Sequence, residues 1–590
     1  MCGIVGYFGE DALRKGLQCL NRLSYRGYDS AGFAINESLI YSIKEVGDVE
    51  NLIKKSMDLR INANCGIFHT RWATHGGVTD KNSHPHFSQD KKIAVVHNGI
   101  LENYETLKKN LIEKGYSFES ETDTEVIPKL IGSFEQSGDS MIIAIEKTLP
   151  LLEGSYAIAV IKECEKRIYF ARKNSPLLIG IGEKEKIICS DSIGFLPITN
   201  KYICLDDDEY GYIDGCIDNG IDGEIKIFNQ GKLIKKEVKT IPFNFEAGNK
   251  GEYNYFMMKE IMEQPSIIDK IISNENIKEL SKCLDIIKKY SKIYLTGCGS
   301  SYHACLLGKY YLEDIANLPV TAILSSEFSS QLKFCKDSIV IAISQSGETA
   351  DVLEASKNAK KHGAKIIAFV NTPNSSLARI SDCIIELLAG PEICVLSTKS
   401  YIAQSSMLLV LAALLKGESE KIIWEWNSAK KEFENLLEYW TEKSIRLADK
   451  LKNSKSLFVI GRGQAYPIAL EAALKIKEAS YIHAEGFAGG ELKHGTLALI
   501  EKGTPALVIC DEENRKDVLS NAHEIKAREG FIIGIDSENN SIYDEFIKVP
   551  LHFKPLFSIV PIQIFAYHIA LARGLNPDKP RNLAKSVTVK

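Results

Sequence analysis

Twice in its second half the chain runs an apolar segment into a Gly-x-Gly turn and then into an apolar helix. Ile293-Tyr294-Leu295-Thr296 leads into Gly297-Cys298-Gly299-Ser300, and Leu457-Phe458-Val459-Ile460 leads into Gly461-Arg462-Gly463-Gln464. No other feature constrains the fold as much. A short apolar run that does not alternate with polar residues is a strand buried on both faces, and such strands belong to parallel sheets covered by helices. A glycine turn from strand to helix is the unit of a doubly wound sheet. Its repetition predicts two such domains in tandem. Dinucleotide binding is a weak reading of these turns, because Tyr302 and Tyr466 stand where a third glycine is needed and no ribose-binding acid is clearly placed.

The strand Ser338 to Ile343 opens into Ser344-Gln345-Ser346-Gly347-Glu348-Thr349. Three hydroxyls and a glycine at the start of a helix offer O–H groups, N–H groups and the positive end of the helix dipole to an anion. Without a lysine in the loop, the pattern fits a sugar phosphate better than a nucleoside triphosphate. Ser397-Thr398-Lys399 is a second hydroxyl-rich turn; the plain alternative is that these serines only cap helices. On the predicted helix Pro467 to Ser480, Lys475 and Glu478 share a face at i, i+3, a spacing that is ordinarily a surface ion pair. Glu491-Leu492-Lys493-His494-Gly495 places a histidine in a loop, and the polar tail from Asp578 to Lys590 would by composition be frayed.

The first 240 residues read differently. Short β-rich runs, such as Ile67 to Ala73, Ile93 to His97, Tyr156 to Ile161, Ile168 to Ala171 and Ile187 to Cys189, are broken by Gly, Asn and Asp. Helical periodicity marks Asp11 to Leu23 and Asn103 to Lys114. The expectation is a layered α+β domain on antiparallel sheets. At its start stands Cys2, which after removal of Met1 would carry a thiol and a free α-amine, nucleophile and base on one residue. His69-Thr70-Arg71-Trp72-Ala73-Thr74-His75-Gly76 offers an arginine that can grip a carboxylate with two hydrogen bonds. His97-Asn98-Gly99 offers a side-chain amide and an N–H to a developing negative oxygen, although Asn-Gly is by default a hairpin turn. Asp123 could hold an ammonium group, and is by default a helix N-cap. Together these residues could hydrolyse the side-chain amide of a free amino acid.

At 590 residues the chain is too long for a single core. Its 45% apolar and 25% charged composition is that of a globular protein. A net charge of −5 provides no basic footprint for nucleic acid. Fourteen cysteines without a C-x-x-C pair read as reduced thiols in a cytoplasmic protein with no metal site. The best membrane candidate, Met407 to Leu415, is far shorter than the ~20 residues a span requires and reads as a core helix.

In the front third, Met1-Cys2-Gly3-Ile4-Val5-Gly6, Arg26-Gly27-Tyr28-Asp29-Ser30-Ala31-Gly32, His69 to Gly76, His97-Asn98-Gly99 and Ser120 to Glu125 resemble the glutaminase domain of the N-terminal-nucleophile amidotransferases. The resemblance implies that Cys2 attacks the glutamine amide and that Asn98 and Gly99 stabilise the oxyanion. It further implies that Arg71 and Asp123 hold the α-carboxylate and α-amine of glutamine, with Thr74, His75 and His84 lining the pocket. The later motifs resemble the paired sugar isomerase (SIS) domains of the glucosamine-6-phosphate synthase family. There Ser300, Ser344, Gln345, Ser346, Thr349 and Ser397 would bind the phosphate end of fructose 6-phosphate, and Glu478 would move a proton between C1 and C2. Lys475 would assist, His494 would help open the ring, and Lys585 would form an imine with the ketone. Trp72 would gate an internal passage for ammonia. Departures are Ser300 in place of threonine, Thr496 in place of proline, and Lys590 in place of an acidic last residue.

The resemblance therefore implies an N-terminal-nucleophile hydrolase sandwich followed by two doubly wound parallel-sheet domains. The boundaries expected are 2–240 for the amidotransferase domain, 241–252 for a linker, 253–425 and 426–575 for the SIS domains, and 576–590 for the tail. It implies glutamine and fructose 6-phosphate as substrates, no cofactor, no nucleic-acid or membrane partner, and a homodimer. Rival enzymes that share the front domain carry a phosphoribosyltransferase or an ATP-using synthetase behind it, and neither a P-loop nor an S-G-G-x-D-S loop is present. A non-catalytic sugar-phosphate sensor would need an effector module in place of the amide-hydrolysing constellation.

Overall fold

The computed structural model describes residues 2–215, 224–241 and 249–588. Most of the expected linker, Met1 and the last two residues lie outside the described residues. The chain forms two compact units: residues up to Asn249 together with Ala584–Lys590, and Lys250–Leu583.

The first unit is built on an eight-stranded and a seven-stranded sheet. Every pairing between their strands is antiparallel. Small and branched side chains from both, among them Ile4, Ile67, Val96, Ala159, Ile168 and Ile188, form one buried cluster between the sheets. The helices Val126–Gln136 and Met141–Thr148 cover the outer face of the seven-stranded sheet, meeting Ile93, Val95 and Ile158. On the eight-stranded sheet the helix Ala12–Arg22 buries Leu13, Leu17 and Leu20. The expected layered α+β sandwich is what forms.

Strand Gly3–Phe8 is buried throughout and pairs with Cys65–Arg71, placing Gly3 opposite Thr70 and Ile4 opposite His69. That register sets Cys2, one residue before the strand, beside the end of the strand that carries Arg71 and Trp72. The seven-stranded sheet supplies the other wall. Strand Ile93–Leu101 continues through Asn98-Gly99, paired with Gly154–Lys162, so Asn98-Gly99 is not a hairpin turn. Gly99 has φ 138°, and a Cβ there would lie 2.0 Å from the carbonyl oxygen of Ser155. The strand can run through this position only with a glycine.

The second unit holds two five-stranded sheets, parallel throughout. Both begin with the repeated strand, turn and helix: Ile293–Gly297 into Ser300–Asp314, and Ser456–Gly461 into Ala465–Ser480. One apolar core runs through both, including the helix Lys399–Lys416, in which Met407 to Ala413 are all buried. The more apolar segment is elsewhere: Lys554–Ala572 has a mean hydropathy of 1.6 and is the one described segment long and apolar enough to cross a membrane, and 78% of it is buried in this core. The Met407 to Leu415 reading missed it because Ser558, Gln563 and His568 interrupt its apolar run.

The start of the tail is not frayed. Asp578 is buried, and its carboxylate accepts the N–H groups of Phe256 and Met257 at 2.9 and 2.8 Å, capping the helix Phe256–Met262. Composition misled here because one buried carboxylate on a helix N-terminus outweighs a polar flank.

Candidate active sites

In the first unit two narrow cavities, of about 20 and 30 Å³, flank Cys2. The smaller is lined by Cys2, Arg71, Trp72, Thr74, His75, His84, Gly99 and Asp123, and the other adds Asn98 and, from the tail, Thr588. Every glutamine-site residue expected from the sequence therefore meets at Cys2. Each space has room for about one water molecule, so the site as it stands is too narrow for an amino acid.

The half-buried Cys2 Sγ accepts the Trp72 N–H at 3.3 Å and lies 3.6 Å from the Trp72 carbonyl oxygen. Burial pushes the thiol up from its ordinary range, opposed by nearby positive charge, Arg71 included, and by the Trp72 N–H. A base must therefore take the thiol proton before attack. Asn98 donates from Nδ2 to the Cys2 carbonyl oxygen at 2.9 Å, while His69 Nε2 lies 3.0 Å from the His97 carbonyl oxygen and 3.2 Å from Asn98 Oδ1. Burial lowers His69 to about 3, so the ring is neutral. Because both its neighbours are acceptors, the proton sits on Nε2, and this fixes which way the Asn98 amide points. One Nδ2 hydrogen remains for a substrate oxygen.

Arg71 is buried and donates to the carbonyl oxygens of His75, Gly76 and Gly77, the latter two at 3.1 Å, so the loop after it is folded over the guanidinium. Asp29 holds the same segment by accepting the Ala73 N–H at 2.8 Å. Arg26, buried, pairs with Asp191 at 2.7 Å. The stretch Arg26 to Ser30 thus braces the site. Asp123 is not an N-cap; its carboxylate accepts the Leu101 N–H at 2.8 Å, fastening it to the end of the Asn98 strand.

In the second unit, the loop Ser344 to Thr349 lies at the carboxyl end of strand Ile339–Ser344, next to strand Ile293–Gly297, where the strand order reverses. Ligands of doubly wound sheets bind at such a point. Ser344 Oγ accepts the Gly347 N–H at 3.0 Å and meets Thr349 Oγ1 at 3.2 Å, and Ser346 Oγ accepts the Glu348 N–H at 3.1 Å. Gly347 has φ 66°, and a Cβ there would lie 2.0 Å from Ser375 Oγ. Gln345 is half-buried in the same turn. Ser397 Oγ meets Ser400 Oγ at 2.6 Å, beside a buried Glu392 that accepts the N–H groups of Thr398 and Ser400.

Lys475 and Glu478 are not a surface pair. Lys475 is fully buried, 2.7 Å from Glu478 and 3.5 Å from an equally buried Glu471. Burial alone would lower the ammonium, but the carboxylates outweigh it and hold Lys475 above the ordinary lysine range. Ser300 donates to Glu471 at 2.9 Å and accepts from Lys475 at 3.2 Å, so its hydroxyl proton is committed to this network. His303 Nδ1 joins Glu471 at 2.7 Å. Glu471, His303, His69 and Glu392 were not anticipated. Glu471 had a legible signal, since it lies four residues before Lys475 and seven before Glu478, on one helical face; the other three had none. His494 is exposed, at the end of the 3-10 turn Gly489–His494. Lys585 is half-buried and is grouped with the first unit.

Residues 69–196 match the glutamine amidotransferase domain family, and residues 286–414 and 450–573 each match the SIS domain family. The chain is 43% identical to the glutamine–fructose-6-phosphate aminotransferase (isomerizing) of Pyrococcus horikoshii and 42% identical to that of Clostridium tetani, each alignment covering 100% of both proteins. Among solved structures, the C-terminal domain of glucosamine-fructose-6-phosphate aminotransferase from Francisella tularensis covers 56% of the chain and 100% of its own length, at 32% identity and a TM-score of 0.52.

Proposed function

Since the chain belongs to the glutamine–fructose-6-phosphate aminotransferase family, we propose that it takes the amide nitrogen of glutamine to convert fructose 6-phosphate into glucosamine 6-phosphate and glutamate. The observation that carries this reading is that one chain holds both a thiol facing an amide donor and a hydroxyl-lined anion loop in a sheet crevice.

In this reading Met1 is removed and the free α-amine of Cys2 takes the thiol proton. Sulfur attacks the amide carbon, the oxyanion is met by Asn98 Nδ2 and the Gly99 N–H, and the amine returns its proton to the departing ammonia. Water then hydrolyses the thioester to glutamate. Arg71 and Asp123 hold the two ends of the amino acid, with Thr74, His75 and His84 around it. Admitting glutamine requires the loop after Arg71 to lift, because its carbonyls occupy the guanidinium.

At the second site the phosphate lies on Ser344, Gln345, Ser346, Thr349 and the Ser397 turn. Lys585 condenses with the C2 ketone, ammonia displaces it to leave a C2 imine, and Glu478 carries the proton from C1 to C2. The charge held on Lys475 supports this assignment. A lysine kept protonated cannot be the base, which leaves the role to the Glu478 carboxylate 2.7 Å from it. Ammonia must travel without meeting water, which would protonate it, and Trp72 beside Cys2 gates the passage. The active form is a homodimer in which the exposed His494 serves a neighbouring copy's sugar. The protein works in the cytoplasm, in keeping with free thiols at every described cysteine.

The test is to incubate the protein with glutamine and fructose 6-phosphate and assay amino-sugar phosphate. Cys2→Ala should abolish glutamine-dependent synthesis and spare sugar isomerisation, and Lys585→Ala should remove synthesis and leave glutamine hydrolysis. Loss of both activities in either variant would contradict two separate sites.

A further inference from the structure

The two crevices of the second unit compare residue by residue. Strand order reverses between Ile293–Gly297 and Ile339–Ser344 in one sheet, and between Ser456–Gly461 and Pro505–Ile509 in the other. Superposing the two Gly-x-Gly turns in sequence sets Gln464 at the place of Ser300, Tyr311 at the place of Lys475, and Asp314 at the place of Glu478. The loop Ser344 to Thr349 corresponds to Asp511-Glu512-Glu513-Asn514, which leads into the helix Arg515–Lys526. Each turn also reaches the helix of the other half, though to different positions: Gln464 donates to Asp314 at 3.2 Å, and Ser300 donates to Glu471, whose counterpart is Leu307, at 2.9 Å.

This second crevice is an open cavity of about 340 Å³, within the ~300–1,000 Å³ of small-ligand sites. Its chemistry is reversed. Asp511, Glu512 and Glu513 stand where the first loop has hydroxyls, and Asp314, Glu418 and Glu425 join them. The lysines on its wall are already matched: Lys554 to Glu512 and Asp536 at 2.9 and 2.6 Å, Lys416 to Glu418 at 3.3 Å, and Lys421 to Glu418 and Glu425 at 3.9 and 4.0 Å. Asp314, Asp511 and Glu513 have no cationic partner among the described residues. Tyr311, only 4% exposed, lines the same cavity with a hydroxyl that has no hydrogen-bond partner among the described residues. A hydroxyl in a cavity wall without a protein partner is a donor and acceptor that a ligand can use.

Phosphate is repelled by this wall. Among the described residues, no group of His, Cys, Asp and Glu side chains could hold a metal ion. What the lining fits is an organic ammonium: carboxylates and the Tyr311 hydroxyl can accept its N–H groups, and Phe553, Ile315, Leu409, Ala413 and Ile422 supply apolar wall for its carbon. We propose that the crevice of the second parallel sheet is a ligand site for a primary organic amine, distinct from the sugar site whose architecture it duplicates.

Calorimetric titration of the full-length protein with 2-phenylethylamine tests this, with 2-phenylethanol and phenylacetate as neutral and anionic partners of the same carbon frame. The amine should bind once per chain, at least about tenfold more tightly than either partner, a difference of about 1.4 kcal/mol. Asp314→Asn with Glu513→Gln, both at exposed positions, should weaken it by about tenfold or more, and Tyr311→Phe should weaken it by less. Saturating fructose 6-phosphate and Cys2→Ala should leave it unchanged, which separates this site from both catalytic centres. Absence of saturable binding, equal binding of the alcohol, displacement by fructose 6-phosphate, or undiminished binding in the double variant would each overturn the proposal.

Discussion

Asn98→Ala is the substitution whose effect can be worked out most fully. The side chain makes two contacts: Nδ2 donates to the Cys2 carbonyl oxygen at 2.9 Å, and Oδ1 lies 3.2 Å from His69 Nε2. Losing the first costs about 1 kcal/mol, the net value of a neutral hydrogen bond. Losing the second costs less, since His69 keeps the His97 carbonyl oxygen at 3.0 Å. A fold of this size survives that. The catalytic loss is larger, because one of two donors to the oxyanion disappears, and removing such a donor lowers kcat by about 10²–10³, or ~2.7–4 kcal/mol. Glutamine hydrolysis by Asn98→Ala should therefore fall by that factor in kcat with little change in KM, since the clamps Arg71 and Asp123 are untouched. Ammonia-dependent amination, which in this account uses Glu478, Lys585 and the Ser344 to Thr349 turn and not Asn98, should be unchanged. Asn98→Asp, with the same shape and an added negative charge, should be worse than alanine. A kcat loss below about tenfold, or a parallel fall in ammonia-dependent synthesis, would refute the oxyanion assignment.

Lys475→Met leaves the buried Glu471 and the half-buried Glu478 without their lysine, a loss of up to the ~3–5 kcal/mol of a broken buried pair; thermal unfolding read by Trp424, Trp426 and Trp440 should shift down with amination abolished, while glutamine hydrolysis persists. Acid should weaken the first unit selectively: an unfolded histidine binds its proton near 6.5, folded His69 only near 3, so the unfolded chain gains protons first and stability falls as pH drops below about 6.5, by about 2 kcal/mol at pH 5 from His69 alone. Trp72, the one tryptophan of that unit, reports the transition, and a midpoint that stays constant from about pH 7 to 5 would contradict it.

The legible features were those written in local pattern. Non-alternating apolar runs ending in Gly-x-Gly showed both parallel sheets, because burial on two faces leaves no polar position in the strand. The hydroxyl-rich turn Ser344 to Thr349 stood out by composition, and it lies where the strand order reverses. What was missed depends on pairing across distance. Asn98-Gly99 reads as a turn until the partner strand Gly154–Lys162 is known, and Asp123 reads as an N-cap until the Leu101 N–H lies opposite it. Lys475–Glu478 reads as a surface pair because sequence shows helical spacing and not the burial of Glu471 beside it. His69, whose proton orients Asn98, sits in a strand among apolar neighbours and carries no sign of its partner. Asp511-Glu512-Glu513 drew no reading from sequence, because only the strand order shows that these residues stand where the first parallel sheet has its Ser344 to Thr349 turn.

The most direct test of the coupled reaction is isotopic. Glutamine labelled with nitrogen-15 in its side-chain amide is supplied with fructose 6-phosphate in a large excess of unlabelled ammonium, and the amino-sugar phosphate is analysed by mass spectrometry. Nitrogen released at Cys2 and delivered within the protein gives a product that keeps the label at nearly the enrichment of the glutamine. A product diluted to the enrichment of the bulk ammonium would contradict the account.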